Sequence, residues 1–160
     1  MSNIHVDKVG DMAVVECEGR FVRSDEAFKL RDAVAKQTDA HVIVLDLTET
    51  QAIGGGAIGV LVFLQRWCRD HDIRFKLFNP SRFVRERLEH TNAMSEFDIA
   101  SLDEMMALLG RADSRYALAS CKALPASVAL ANRFRRSYLE NRGPSTAQLF
   151  RCANQLLRSG

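Results

Sequence analysis

The sequence predicts an α/β layer structure, helices packed on a β-sheet, followed by a C-terminal helical extension. Three observations carry that expectation. Short apolar runs alternate with amphipathic helical stretches in the order β-β-α-β-α-β-α-β-α. The run His41 to Leu47 is apolar and β-branched throughout, the pattern of a strand covered on both faces. The charge also changes sign along the chain. Residues 111–160 hold nine Lys and Arg against two acids, a surplus of +7, so with an overall charge of +2 the first 110 residues carry −5. Such a contrast predicts two units, a body over 1–110 and a basic helical extension over 111–160.

The elements follow in order. Ile4 to Val6 and Met12 to Cys17 read as strands joined by a turn at Lys8-Val9-Gly10-Asp11. Ser24-Asp25-Glu26 reads as a helix start, with the serine hydroxyl as cap and two acids near the positive end of the dipole. Ala27, Leu30, Val34 and Ala35 keep helical spacing. After the strand at 41–47, a helix spans about Gly56 to Asp70. Ile73 to Phe78 alternates apolar residues with Arg74 and Lys76, so this strand is expected to have one partly wet face. Asn79-Pro80-Ser81 opens a helix over Phe83 to His90. Phe97-Asp98-Ile99 is a short strand, and Ser101 to Leu109 a helix whose Ser101 and Glu104 form a capping-box pattern. Beyond Gly110, Leu130, Phe134 and Tyr138 make one apolar stripe, and Leu149, Ala153, Leu156 and Leu157 make a second, separated by Gly143-Pro144.

Composition narrows the function classes. Hydrophobic residues make up 47% and charged residues 26%, the balance of a globular chain. No apolar run of about 18 residues is present to span a bilayer, and Met1-Ser2-Asn3-Ile4-His5 begins no secretory signal. A cytoplasmic protein without membrane insertion is expected. Cys17, Cys68, Cys121 and Cys152 are scattered, which argues against a zinc site or a disulfide framework. His5, His41, His71 and His90 stand singly. No nucleophile elbow or His-Glu-x-x-His pattern occurs, so neither an enzyme nor a cofactor is expected.

The feature that asks for a function is Gly54-Gly55-Gly56-Ala57-Ile58-Gly59, which leads from a strand into a helix. Gly54, Gly56 and Gly59 satisfy Gly-x-Gly-x-x-Gly. However, the loop after Leu47 is long for a dinucleotide turn, and the next strand ends at Asn79 rather than at an acid. Three uses of the bare backbone stay open: an anion held by helix-start amides, a flat platform for a partner, or close helix–sheet packing.

Residues 4–109 carry a resemblance as well. Asp46-Leu47, then Ile53-Gly54-Gly55-Gly56-Ala57-Ile58-Gly59, then Asn79-Pro80-Ser81, Val84-Arg85-Glu86-Arg87-Leu88 and Phe97-Asp98-Ile99 resemble the STAS domain of sulphate transporters and anti-sigma factor antagonists. The resemblance implies a mixed β-sheet flanked by helices and a non-enzymatic, partner-switching role in transcription regulation in a bacterium. It also implies a Ser or Thr at position 55, preceded by an acid, that an anti-sigma kinase phosphorylates. Here those positions are Gly55 and Gly54, so that switch cannot operate. Thr48 and Thr50 are substitute acceptors in principle, although loop residues of this type also bond their own backbone.

The resulting expectation is an anti-sigma factor or related kinase-fold regulator bound through Thr48, Thr50, Gly54, Gly55, Gly56, Ala57, Ile58 and Val60, with Gly55 as a degenerate phosphosite. The alternatives are an accessory subunit of a membrane transporter and an anion or nucleotide binder using the glycine loop. The tail's apolar stripes favour docking on protein over nucleic acid, either on the body or on a second copy as a homodimer.

Overall fold

The computed structural model describes residues 2–117 and 124–140. Strands β1 (Asn3–Val9) and β2 (Met12–Phe21) form an antiparallel hairpin. Gly10 supplies the φ of 58° that this tight turn requires. Strand β3 (Val42–Asp46) adds to β2 in parallel, followed outward by β5 (Arg74–Phe78) and β6 (Asp98–Ala100), for the order β1-β2-β3-β5-β6. Strand β4 (Thr50–Ile53) stands off this path and pairs in parallel with the far end of β2, where Gly19, Arg20 and Phe21 meet Thr50, Ala52 and Ile53. The sheet is therefore mixed, with one antiparallel edge pair on a parallel body.

Alternation along the strands divides the core into two layers. Ala13, Val15, Ile43, Leu45, Phe75 and Leu77 face helices α1 (Ser24–Ala35), α2 (Gly55–Asp70) and α3 (Arg82–His90). Met12, Val14, Val42, Val44 and Phe78 face α4 (Leu102–Ala117) and α5 (Leu124–Glu140). Every residue of β3 is buried, as its unbroken apolar run demands.

Helix α5 brings the first tail stripe onto the second face. Leu130 and Phe134 are buried there, and the Phe134 ring meets Phe78 edge-on with centroids 5.0 Å apart. Tyr138 stacks on Phe78 at 6.1 Å. Arg133 pins the same helix to β1 and β2, 2.9 Å from Asp7 and 2.5 Å from Glu16. Burial pushes the Glu16 carboxyl up, and Arg133 pulls against that shift. The stripe Leu149, Ala153, Leu156 and Leu157 lies outside the described residues, as do Cys121 and Cys152.

Several local expectations need correction. Strand β4 was not expected. Helix α4 runs through Gly110 to Ala117 instead of stopping at Leu109. The first turn of α1 is closed by Glu26, which accepts from the amides of Val22 and Arg23 at 3.2 Å each; Ser24 lies inside the helix. These bonds, led by the one from Arg23, hold the Glu26 carboxyl below its ordinary range. Ser101 does cap α4 by accepting from the Glu104 amide at 3.2 Å. The Glu104 carboxylate, however, turns to Lys76 at 2.6 Å. Lys76 is not on a wet face: it is 7% exposed and also paired with Asp98. Burial pushes its ammonium down, and the two carboxylates more than reverse this.

Candidate partner-binding site

The glycine turn is fixed at its entry. The Gly54 amide donates to the Phe21 carbonyl at 2.9 Å, and the Gly54 carbonyl accepts from Ile58 at 3.0 Å to start α2. A Cβ at Gly54 would lie 2.9 Å from the Val22 carbonyl oxygen, closer than real side chains come. Packing of β2 against the turn therefore explains Gly54. It does not explain the others: at Gly55, Gly56 and Gly59 an added Cβ would meet none of the described residues within 4 Å. None of the three has a positive φ either. Gly59, inside the helix, lowers its stability by roughly 0.5–1 kcal/mol relative to alanine, and no contact with the described residues requires glycine at any of the three.

Gly55, Gly59 and Phe63 recur every four residues and share the outer face of α2. Phe63 is 51% exposed and Val22, beside Gly54, is 53% exposed. Val60 and Val62 are half-buried at the flanks of the face. The result is a smooth surface edged by apolar side chains. Of the eight expected contact residues, Gly54, Gly55, Gly56 and Val60 lie on it at least in part. Ala57 and Ile58 point into the core. Val22, Gly59 and Phe63 belong to the same face and were not among the expected residues, although the four-residue spacing of 55, 59 and 63 was there to be read.

The two threonines are interior. Thr48 Oγ1 donates to Asp46 Oδ1 at 2.6 Å, and the Thr48 amide donates to the same oxygen at 2.9 Å. Asn79, in the left-handed region at φ 43°, donates to Thr48 Oγ1 at 3.1 Å. Thr50 Oγ1 donates to the Cys17 carbonyl at 2.8 Å, and Ser81 Oγ donates to the Thr50 carbonyl at 2.6 Å. The expectation of loop residues bonding their own backbone therefore needs correction: the Thr48 hydroxyl bonds the Asp46 side chain, and Thr50, in β4, bonds Cys17 on β2. Both threonines are buried, so a kinase has no access to either hydroxyl in this conformation. Burial raises the Asp46 carboxyl, and the two bonds from Thr48 oppose the shift.

Little else offers chemistry. Cys17 and Cys68 are buried thiols, the first pushed well up by burial and the second pushed up to about 12, so neither is a nucleophile at neutral pH. Among the described residues no group of three or more His, Cys, Asp or Glu could hold a metal ion. None of the described helices is long and apolar enough to cross a membrane.

The STAS domain family model matches residues 3–106. This chain belongs to the STAS family. The anti-sigma factor antagonist SpoIIAA in its unphosphorylated form is similar in structure, with a TM-score of 0.57 at 14% identity, over 68% of this chain and 97% of that one. An anti-sigma factor antagonist from Mycobacterium paratuberculosis gives 0.58 at 16% identity, over 68% and 93%. SLC26A9 gives 0.51 at 12% identity, over 71% of this chain but 22% of that one. At these identities the likenesses establish the STAS fold. No curated protein matches the sequence.

Proposed function

We propose that this STAS domain is a non-enzymatic, cytoplasmic regulatory module that binds an anti-sigma factor or related kinase-fold regulator through the outer face of α2. Contact would centre on Gly55, Gly56 and Gly59, with Val22, Val60 and Phe63 at the margins. The observation that carries this reading is the open space above those three glycines, where glycine brings no packing gain against the described residues. A partner backbone or side chain can approach such a surface closely. With Gly55 in place of a hydroxyl, the interface would carry no phosphate and association would be constitutive; a phosphate there would add about −1.5 to −2 charge.

The test is affinity purification from the native cell with the unaltered chain and with Gly55→Asp and Gly59→Arg. Recovery of a kinase-fold regulator by the unaltered chain and its loss with both variants is expected. Recovery of no regulatory protein, or equal recovery by all three, would refute the proposal. The likeness to SLC26A9 supports a second reading, an accessory subunit of a membrane transporter. Under that reading the same purification would return transporter components from the membrane fraction.

A further inference from the structure

A second concave region lies beyond the carboxyl ends of β5 and β6, where open α/β sheets place ligands. It is a cleft of about 620 Å³ between the turn into α3, the turn into α4, and α5. That volume is in the usual range for small-molecule sites. Its walls include Arg82, Arg85, Phe83, Ser101 and Tyr138, and among the described residues no carboxylate lines it.

The charge arrangement in this cleft is not explained by the fold. Helix α3 has no acid in its first turn and instead carries Arg82 and Arg85 beside the positive end of its own dipole. Cations there are unfavourable by a few tenths of a kcal/mol to about 1 kcal/mol. Glu86 neutralises Arg82 at 2.7 Å. Arg85 faces the cleft with no carboxylate partner among the described residues. An anion in the cleft would relieve both the dipole conflict and the unpaired guanidinium, whose planar fork suits phosphate oxygens.

The apolar walls specify the rest of the ligand. Phe83 is 66% exposed, the most exposed large apolar side chain among the described residues, and it borders the same cleft. Tyr138 adds a second ring, held by its stack on Phe78. This ring comes from α5, outside the residues matched by the family model. We propose that the cleft binds a small aromatic phosphate monoester, its phosphate at Arg85 and its ring between Phe83 and Tyr138. The site does not involve the glycine face and stands independently of the proposed partner.

The experiment is an amide NMR titration of the full chain with phenyl phosphate, inorganic phosphate and phenol. Arg85→Ala and Phe83→Ala serve as variants because both side chains are exposed and neither holds the core. Phenyl phosphate should saturate, shift the amides of residues 82–85, and bind at least about tenfold more tightly than either fragment. Each variant should weaken it by about tenfold or more. The proposal is overturned if phenyl phosphate does not saturate, if inorganic phosphate binds equally well, if the variants bind as the unaltered chain does, or if the shifts fall at residues 55–59 instead.

Discussion

A methyl group added at Gly54 would sit 2.9 Å from the Val22 carbonyl oxygen, whereas one at Gly55, Gly56 or Gly59 would meet none of the described residues within 4 Å. Substitutions should therefore separate the glycines cleanly. Gly54→Ala should lower stability by about 1–3 kcal/mol, because the obstruction is backbone and must move. Gly59→Ala should raise stability by about 0.5–1 kcal/mol through helix propensity. Gly55→Ser should change it by less than about 0.5 kcal/mol, as for other exposed positions. Urea unfolding midpoints at constant slope measure all three. A large loss at Gly59 or Gly55 would mean that these positions are filled by the chain itself.

Asp46 closes β3, and its buried carboxylate accepts both bonds from Thr48. With its folded-state pKa above the ordinary value of about 3.9, Asp46 holds its proton more tightly folded than unfolded. Its contribution to stability is thus fullest below about pH 3.9 and declines as pH rises through the raised value. Asp46→Asn keeps the acceptor oxygen but cannot titrate. Relative to the unaltered chain it should gain stability between about pH 4 and neutrality, a difference readable from paired unfolding curves. An unchanging difference would mean that Asp46 titrates normally. The elements around it show what a linear reading can reach. β3 was legible because both of its faces are apolar. β4 was not, since Thr50–Ile53 is four residues long and exists by pairing with β2, some 30 residues earlier. Lys76 looked wet because its partners Asp98 and Glu104 come from β6 and α4. Gly110 looked like a stop, yet a single exposed glycine costs a helix only about 1 kcal/mol, and α4 continues past it.

Across the whole molecule, α5 seals the second face of the sheet. Phe134→Ala should cost about 3–5 kcal/mol, the usual penalty for emptying a buried aromatic position, measured by chemical unfolding. A cost under about 1 kcal/mol would mean that α5 is held loosely. The opposite charges of body and tail were plain in the sequence, and part of their meaning is the contact of Arg133 with Asp7 and Glu16. Which residues of the tail would meet the body was legible only as the spacing of Leu130, Phe134 and Tyr138. The proposed docking face was half legible. The glycine tract marked its location, but the inward turn of Thr48, Thr50, Ala57 and Ile58 depends on how the turn leans on β2.

Strand β2 serves two neighbours in succession: Met12 to Glu16 pair with β3, and Gly19 to Phe21 pair with β4. The changeover comes at Gly19, at φ 91° and beside a register shift. Only a residue without a side chain takes that conformation readily. A bulkier residue at this joint would tilt the Phe21 and Val22 end of the ribbon, and with it the floor on which Gly54 rests. The shape of the proposed docking face is thus governed from a joint that lies outside it.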